Sequence, residues 1–134
     1  MYKKIIVSLA LDHGISETAL HKAKLLLDEG GEIIALHVHE LPSGTAGAYV
    51  SEDVINRERN NAEKRLRERI ENSPNTKAIL LNGHTGRAIT DYATKEGADC
   101  IIVGSHKPGL SDFFLGSTAA RIVRHASCSV VVLR

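Results

Sequence analysis

Five short apolar stretches alternate along the chain with longer stretches in which apolar residues recur every three or four positions. The short ones, residues 4–10, 32–39, 77–82, 100–104 and 129–133, are rich in Ile, Val and Leu. Most run apolar almost continuously, the pattern of parallel strands covered on both faces. Between them the period is helical. Ser16 is placed to cap a first helix, with Ala19, Ala23, Leu26 and Leu27 on one face and Gly30-Gly31 to end it. A second helix is predicted from about Ser51 to Asn72, with a narrow stripe of Ile55, Ala62, Leu66 and Ile70. A third runs from about Gly86 to Glu96 with Ile89, Tyr92 and Ala93 inward. The fourth starts near Ser117 and turns Ala120, Ile122 and Val123 inward.

An alternation β-α-β-α-β-α-β-α-β implies an α/β fold in three layers, a five-stranded parallel sheet with right-handed crossovers and helices on both faces. Ligands of such folds sit outside the carboxyl ends of the strands, where strand order reverses. Candidate functional residues therefore belong in segments 11–15, 40–50, 83–85 and 105–115.

Composition narrows the function. The chain has 134 residues, read as one domain over 1–134, which is enough for a single core. Its net charge of +1 supplies no field for nucleic acid. The charges of "NRERNNAEKRLRERIEN" alternate in sign, as on a solvated helix face. No apolar run spans a bilayer, and "MYKKIIVSLAL" reads as a strand rather than a signal peptide. Two cysteines, Cys100 and Cys128, do not make a disulfide framework. A cytoplasmic protein is expected.

The stretch "GSHKPGLSDFFLGSTAARIVRHA", residues 104–126, places a glycine-punctuated loop between strand and helix. Ser117 and Thr118 open the helix, where amide N–H groups lack partners and the helix dipole favours an anion. Ser105 adds a hydroxyl, and His106 and Lys107 add charge. The spacing is not that of a Walker A loop, because Gly104 and Gly109 are followed by Leu110-Ser111 rather than Lys-Ser/Thr. Nor does Gly-x-Gly-x-x-Gly follow the first strand.

Other residues have plainer readings. His37 and His39 share a strand face at the i, i+2 spacing of some metal sites, yet no third ligand from Cys, Asp or Glu is evident to complete one, so they read as a partly buried structural pair with no metal. His125 suits a helix carboxyl end. His84 and Thr85 fit ligand contact and helix capping equally well. Cys100 and Cys128 read as small buried residues. Asp99 lies at the end of the sheet opposite the candidate loops and reads as a cap. Phe113 and Phe114 either pack their loop or meet a partner.

Over nearly its whole length the sequence resembles the universal stress protein family. The resemblance is carried by "YKKIIVSLALD", "IIALHV", "NGHTGRAITDYATKEGADCIIVGSHKPG" and "LGSTAARIVRHASCSVVVLR". It implies a sheet of order 3-2-1-4-5, a homodimer paired through residues 129–133, and binding of ATP, ADP or AMP, with Mg²⁺ accompanying the phosphates. Nucleotide-binding members carry Gly-x2-Gly-x9-Gly-Ser/Thr. Gly104 matches the first glycine of that pattern, and Gly116 with Ser117 the last pair. Val38 matches a position lining the adenine pocket, Val103 a backbone contact to base or ribose, and Gly83 the loop beside the base. Adenine would lie against Val38 and the turn containing Leu9, Ala10 and Asp12. Phosphates would lie over Gly104, Ser105, His106 and Lys107 and the helix start at Gly116, Ser117 and Thr118.

Two features depart from the pattern. Lys107 replaces the second glycine and the loop is one residue shorter, so the lysine either charges the phosphate site or fills it. Ala10 stands where many members have an aspartate, leaving Asp12 to serve if the turn bulges. No catalytic set is evident: Asp12 or Asp112 offers one metal ligand, but no base accompanies it. The expected activity is at most slow ATP hydrolysis or autophosphorylation, as in some members. The rival to a nucleotide-binding signalling module is a dimeric stress-response adaptor without nucleotide, acting through a protein partner.

Overall fold

The computed structural model describes residues 1–11, 15–40, 50–105 and 115–134, the side chains of residues 15 and 16 excepted. The elements among the described residues are, in chain order, β1 (Tyr2–Ser8), α1 (Ile15–Leu26), β2 (Leu27–His39), α2 (Glu52–Arg69), β3 (Thr76–Asn82), α3 (Thr85–Glu96), β4 (Cys100–Gly104), α4 (Ser117–His125) and β5 (Ser129–Leu133). The strands form one parallel sheet of order β3-β2-β1-β4-β5.

Burial on both sides of the sheet explains the continuous apolar runs. Ile5 pairs with Ile33 and Cys100, Ile6 with Ile34 and Ile101, and Val7 with Ala35 and Ile102. Successive residues of a strand face opposite ways. Ile5, Val7, Ile33, Ala35, Cys100 and Ile102 therefore join the core that holds Ala19, Leu20 and Ala23 of α1 and Ala62 and Leu66 of α2. Ile6, Ile34, Leu36, Val38, Ile101 and Val103 join the opposite core with Ile89 and Ala93 of α3 and Ala119 and Ile122 of α4.

Several boundaries and faces differ from expectation. β1 begins at Tyr2 because the Asp99 carboxylate, ahead of β4, accepts the N–H groups of Lys3 (2.9 Å) and Lys4 (3.0 Å). It ends at Ser8, which leaves Leu9 and Ala10 beyond the strand. α1 starts at Ile15, so Ser16 lies inside the helix rather than at its cap, and it ends at Leu26 rather than at the glycine pair. Leu27, expected on the helix face, opens β2. α2 starts at Glu52, capped by the Ser51 hydroxyl accepting from Val54 N–H at 3.2 Å, and closes at Arg69, three residues early. On α3, Thr90 is buried beside Ile89 and Ala93, and Tyr92 is only half-buried. On α4 the inward stripe is Ala119, Ile122 and Ala126, spaced i, i+3 and i+7. Val123, one residue off that stripe, is 50% exposed.

Candidate functional site

In the order β3-β2-β1-β4-β5 the chain leaves β1 toward one side of the sheet and reaches β4 on the other, so the switch point lies between the carboxyl ends of β1 and β4. The described residues at that edge are Leu9, Ala10 and Leu11 after β1, His39 ending β2 and Glu40 after it, Gly83 and His84 after β3, Gly104 ending β4 and Ser105 after it, and Leu115 to Thr118 at the start of α4. Asp12, His106, Lys107, Asp112, Phe113 and Phe114 lie outside the described residues.

Backbone hydrogen bonds hold this edge together. Leu9 N–H donates to the Leu36 carbonyl (2.9 Å), Gly83 N–H to His39 (3.2 Å) and Ser105 N–H to Leu133 (2.6 Å). Gly116 N–H donates to the Ser105 carbonyl at 2.6 Å, which fixes the start of α4 against the end of β4. Gly116 is the cap residue of α4 and offers no side chain, and the first turn of the helix carries no acid. Ser117 is exposed and Thr118 half-buried. Among the described residues no side chain caps the amides that open α4, which leaves them for an anion or water. Ser105 is 2% exposed. Val38 and Val103, 6% and 4% exposed, commit their side chains to the core, so only their backbone is available at the edge. Leu9 is buried and Ala10 exposed. Gly83 has φ +133°, a conformation glycine adopts readily.

The two faces of the edge differ. Toward α2 there is a polar groove of about 490 Å³ lined by Leu11, His37, His39, Glu58, Asn61, Ala62 and Arg65. His37 and His39 do share this face. The carbonyl of Leu9 lies 2.7 Å from His37 Nδ1, which must carry the proton in that contact. Arg65 and Arg69 both donate to the Leu11 carbonyl, at 2.8 and 2.9 Å, so α2 holds the chain as it leaves β1. Among the described residues no three His, Cys, Asp or Glu side chains group as a metal site.

Toward α3, the helix start is met by a contact that no local spacing announces. His84 is the cap residue but its ring makes no capping bond. One Glu40 carboxylate oxygen instead accepts both Thr85 N–H (2.9 Å) and Thr85 Oγ1–H (2.6 Å). Cap and helix stand 45 residues apart, so no local motif announces the pair. The α3 end is therefore already met by an acid, while the α4 end is not. Elsewhere, Cys100 and Cys128 are free thiols. Burial, then the neighbouring Cys128 and Asp99, push the Cys100 thiol up to about 11. It stays protonated and unreactive at neutral pH.

A five-stranded parallel sheet wound in both directions from a central switch point defines a small doubly wound α/β domain. A model of the universal stress protein family matches residues 1–134, and the chain belongs to that family. It is 32% identical to universal stress protein A homolog 2 of Coxiella burnetii, over 99% of this chain and 95% of that one. Among solved structures, the universal stress protein UspA of Lactobacillus plantarum superposes with a TM-score of 0.79 at 24% identity, covering 99% of this chain and 98% of that one. The universal stress protein of Archaeoglobus fulgidus in complex with dAMP does so with a TM-score of 0.60 at 21% identity, covering 99% and 98%. No described helix is long and apolar enough to cross a membrane.

Proposed function

We propose that the chain is a cytoplasmic stress-response module that binds an adenine nucleotide, ATP or its di- or monophosphate, across the carboxyl ends of β1 and β4. The observation that carries this reading is the start of α4, which has no side-chain cap, no acid in its first turn, and a place beside the switch point. The Archaeoglobus fulgidus relative, crystallised with dAMP, has the same fold. In this reading the nucleoside lies by Leu9, Ala10, Asp12, Gly83 and the backbone of Val38 and Val103. The phosphates lie over Gly104, Ser105, His106, Lys107, Gly116, Ser117 and Thr118, with Mg²⁺ as their counter-ion. Among the described residues no nucleophile stands beside a base, and in this reading the role is binding rather than rapid turnover.

Calorimetric titration of nucleotide-stripped protein with Mg·ATP should give micromolar binding, about 8 kcal/mol. Gly116→Val should weaken it by roughly ten-fold or more, because losing charge-assisted hydrogen bonds costs about 1.5–3 kcal/mol each. Gly116 has φ −57°, which valine adopts, so the variant should still fold. No heat up to millimolar ATP from folded protein would refute nucleotide binding and leave the adaptor reading.

The same reading includes a homodimer through β5. This strand lies at the sheet edge, and Val130, Val131, Val132 and Leu133 are all only half-buried. An open apolar edge invites pairing with a second copy. Sedimentation at micromolar concentration should report a dimer, and a monomer there would refute it.

A further inference from the structure

Arg121 lies one turn into α4, on the side facing α3, and its stem rests on Gly86 in the first turn of that helix. A Cβ at Gly86 would stand 2.8 Å from Arg121 Cδ and 3.1 Å from its Cβ. Glycine at 86 thus opens the slot through which this side chain runs between the two helices. The slot takes a charged side chain into a place where its Nε is fully buried and has no hydrogen-bond partner among the described residues. No carboxylate among the described residues pairs with it. A buried donor of a cation without an acceptor is strongly unfavourable unless something outside the chain supplies one. Helical side chains lean toward the helix start, which directs Arg121 toward the same uncapped end of α4, four residues ahead at Ser117. Gly86, on which the stem rests, follows Thr85, whose amide is already taken by Glu40.

We propose that Arg121 is a binding residue for the phosphate of the ligand, supplying the positive charge that this loop lacks at the lysine position of a Walker motif. The inference rests on the nucleotide reading above and adds a residue outside the glycine loop to it. Its charge acts on the phosphate and not on the nucleoside.

The test is binding of adenosine, AMP and ATP to the unaltered protein, Arg121→Met and Arg121→Lys. Methionine keeps an apolar stem against Gly86 and removes the charge, so packing is largely retained. The expected result is a loss of about ten-fold for AMP and ATP in Arg121→Met, with adenosine changed by less than about two-fold and Arg121→Lys intermediate. Equal affinities for ATP in Arg121→Met and the unaltered protein would overturn the assignment. An equal loss for adenosine would do so as well, because it would mark Arg121 as a packing residue. These failures differ from failure of the nucleotide reading itself, in which the unaltered protein binds none of the three.

Discussion

Leu66→Ala should lower stability by about 2–5 kcal/mol, read as a fall in the urea midpoint at unchanged slope. That is a large share of the ~5–15 kcal/mol that holds a domain of this kind together. The size follows from how α2 is attached. Its 18 residues are mostly charged, and only Ala62 and Leu66 are buried, Leu66 fully. Leu66 reaches the core formed by Ile5, Val7, Ile33, Ala35 and Ile102, and Ala62 has too little surface to replace it. The helix has its Ser51 cap and a Glu63–Arg67 ion pair at 3.0 Å, but an exposed pair of this kind contributes only about 0.3–0.5 kcal/mol. The same substitution should weaken ligand binding, because Arg65 and Arg69 flank Leu66 and hold the Leu11 carbonyl at the end of β1. A loss below about 1 kcal/mol would show that α2 is held by something other than this side chain.

Most of the sheet was legible because two-sided burial leaves an unmistakable mark. β4 and β5 fall where the Ile/Val runs put them, since little but apolar packing decides their ends. The order β3-β2-β1-β4-β5 agrees with what the family resemblance implied. Helix faces were less legible where the stripe is narrow. On α4 Ala119 and Val123, four residues apart, stand only about 40° apart around the helix, a difference that small residues barely register, and the smaller one won the sheet. At the site, sequence located the edge and the α4 start, but not the contacts between distant segments. The Glu40–Thr85 cap and the Arg121–Gly86 slot join residues that no spacing rule connects, and each depends on the fold having already brought β2, α3 and α4 together. Val38, which the resemblance matches to a position lining the adenine pocket, packs in the core at the carboxyl end of β2.

The glycine pair at 30 and 31 is where reading and structure parted, and it carries the second large effect. Read as a helix stop, either glycine would tolerate alanine at a modest conformational cost. In the structure α1 ends at Leu26, and the pair lies in β2 at an irregularity, where two steps along β1 (Tyr2 to Lys4) match five along β2 (Leu27 to Glu32). The two positions then differ. Gly30 has φ +79° with nothing within 4 Å of a Cβ, so Gly30→Ala meets only left-handed backbone strain, about 1–2 kcal/mol. Gly31 is buried against the start of β1. A Cβ there would lie 2.8 Å from the Lys3 carbonyl oxygen, 3.0 Å from that of Asp28 and 2.7 Å from Leu27 Cδ1. The leucine can rotate away, but the two backbone oxygens cannot move without moving the strand. Asp99, bonded to Lys3 and Lys4 N–H, opposes that movement. Gly31→Ala should therefore cost about 3 kcal/mol, the upper end for overpacking, and more than Gly30→Ala. Paired urea denaturation of the two variants reads the difference directly. If Gly31→Ala proves the milder of the two, the irregularity is loose enough to re-form around a methyl group, and the close approach of β1 to β2 at this point does not fix their register.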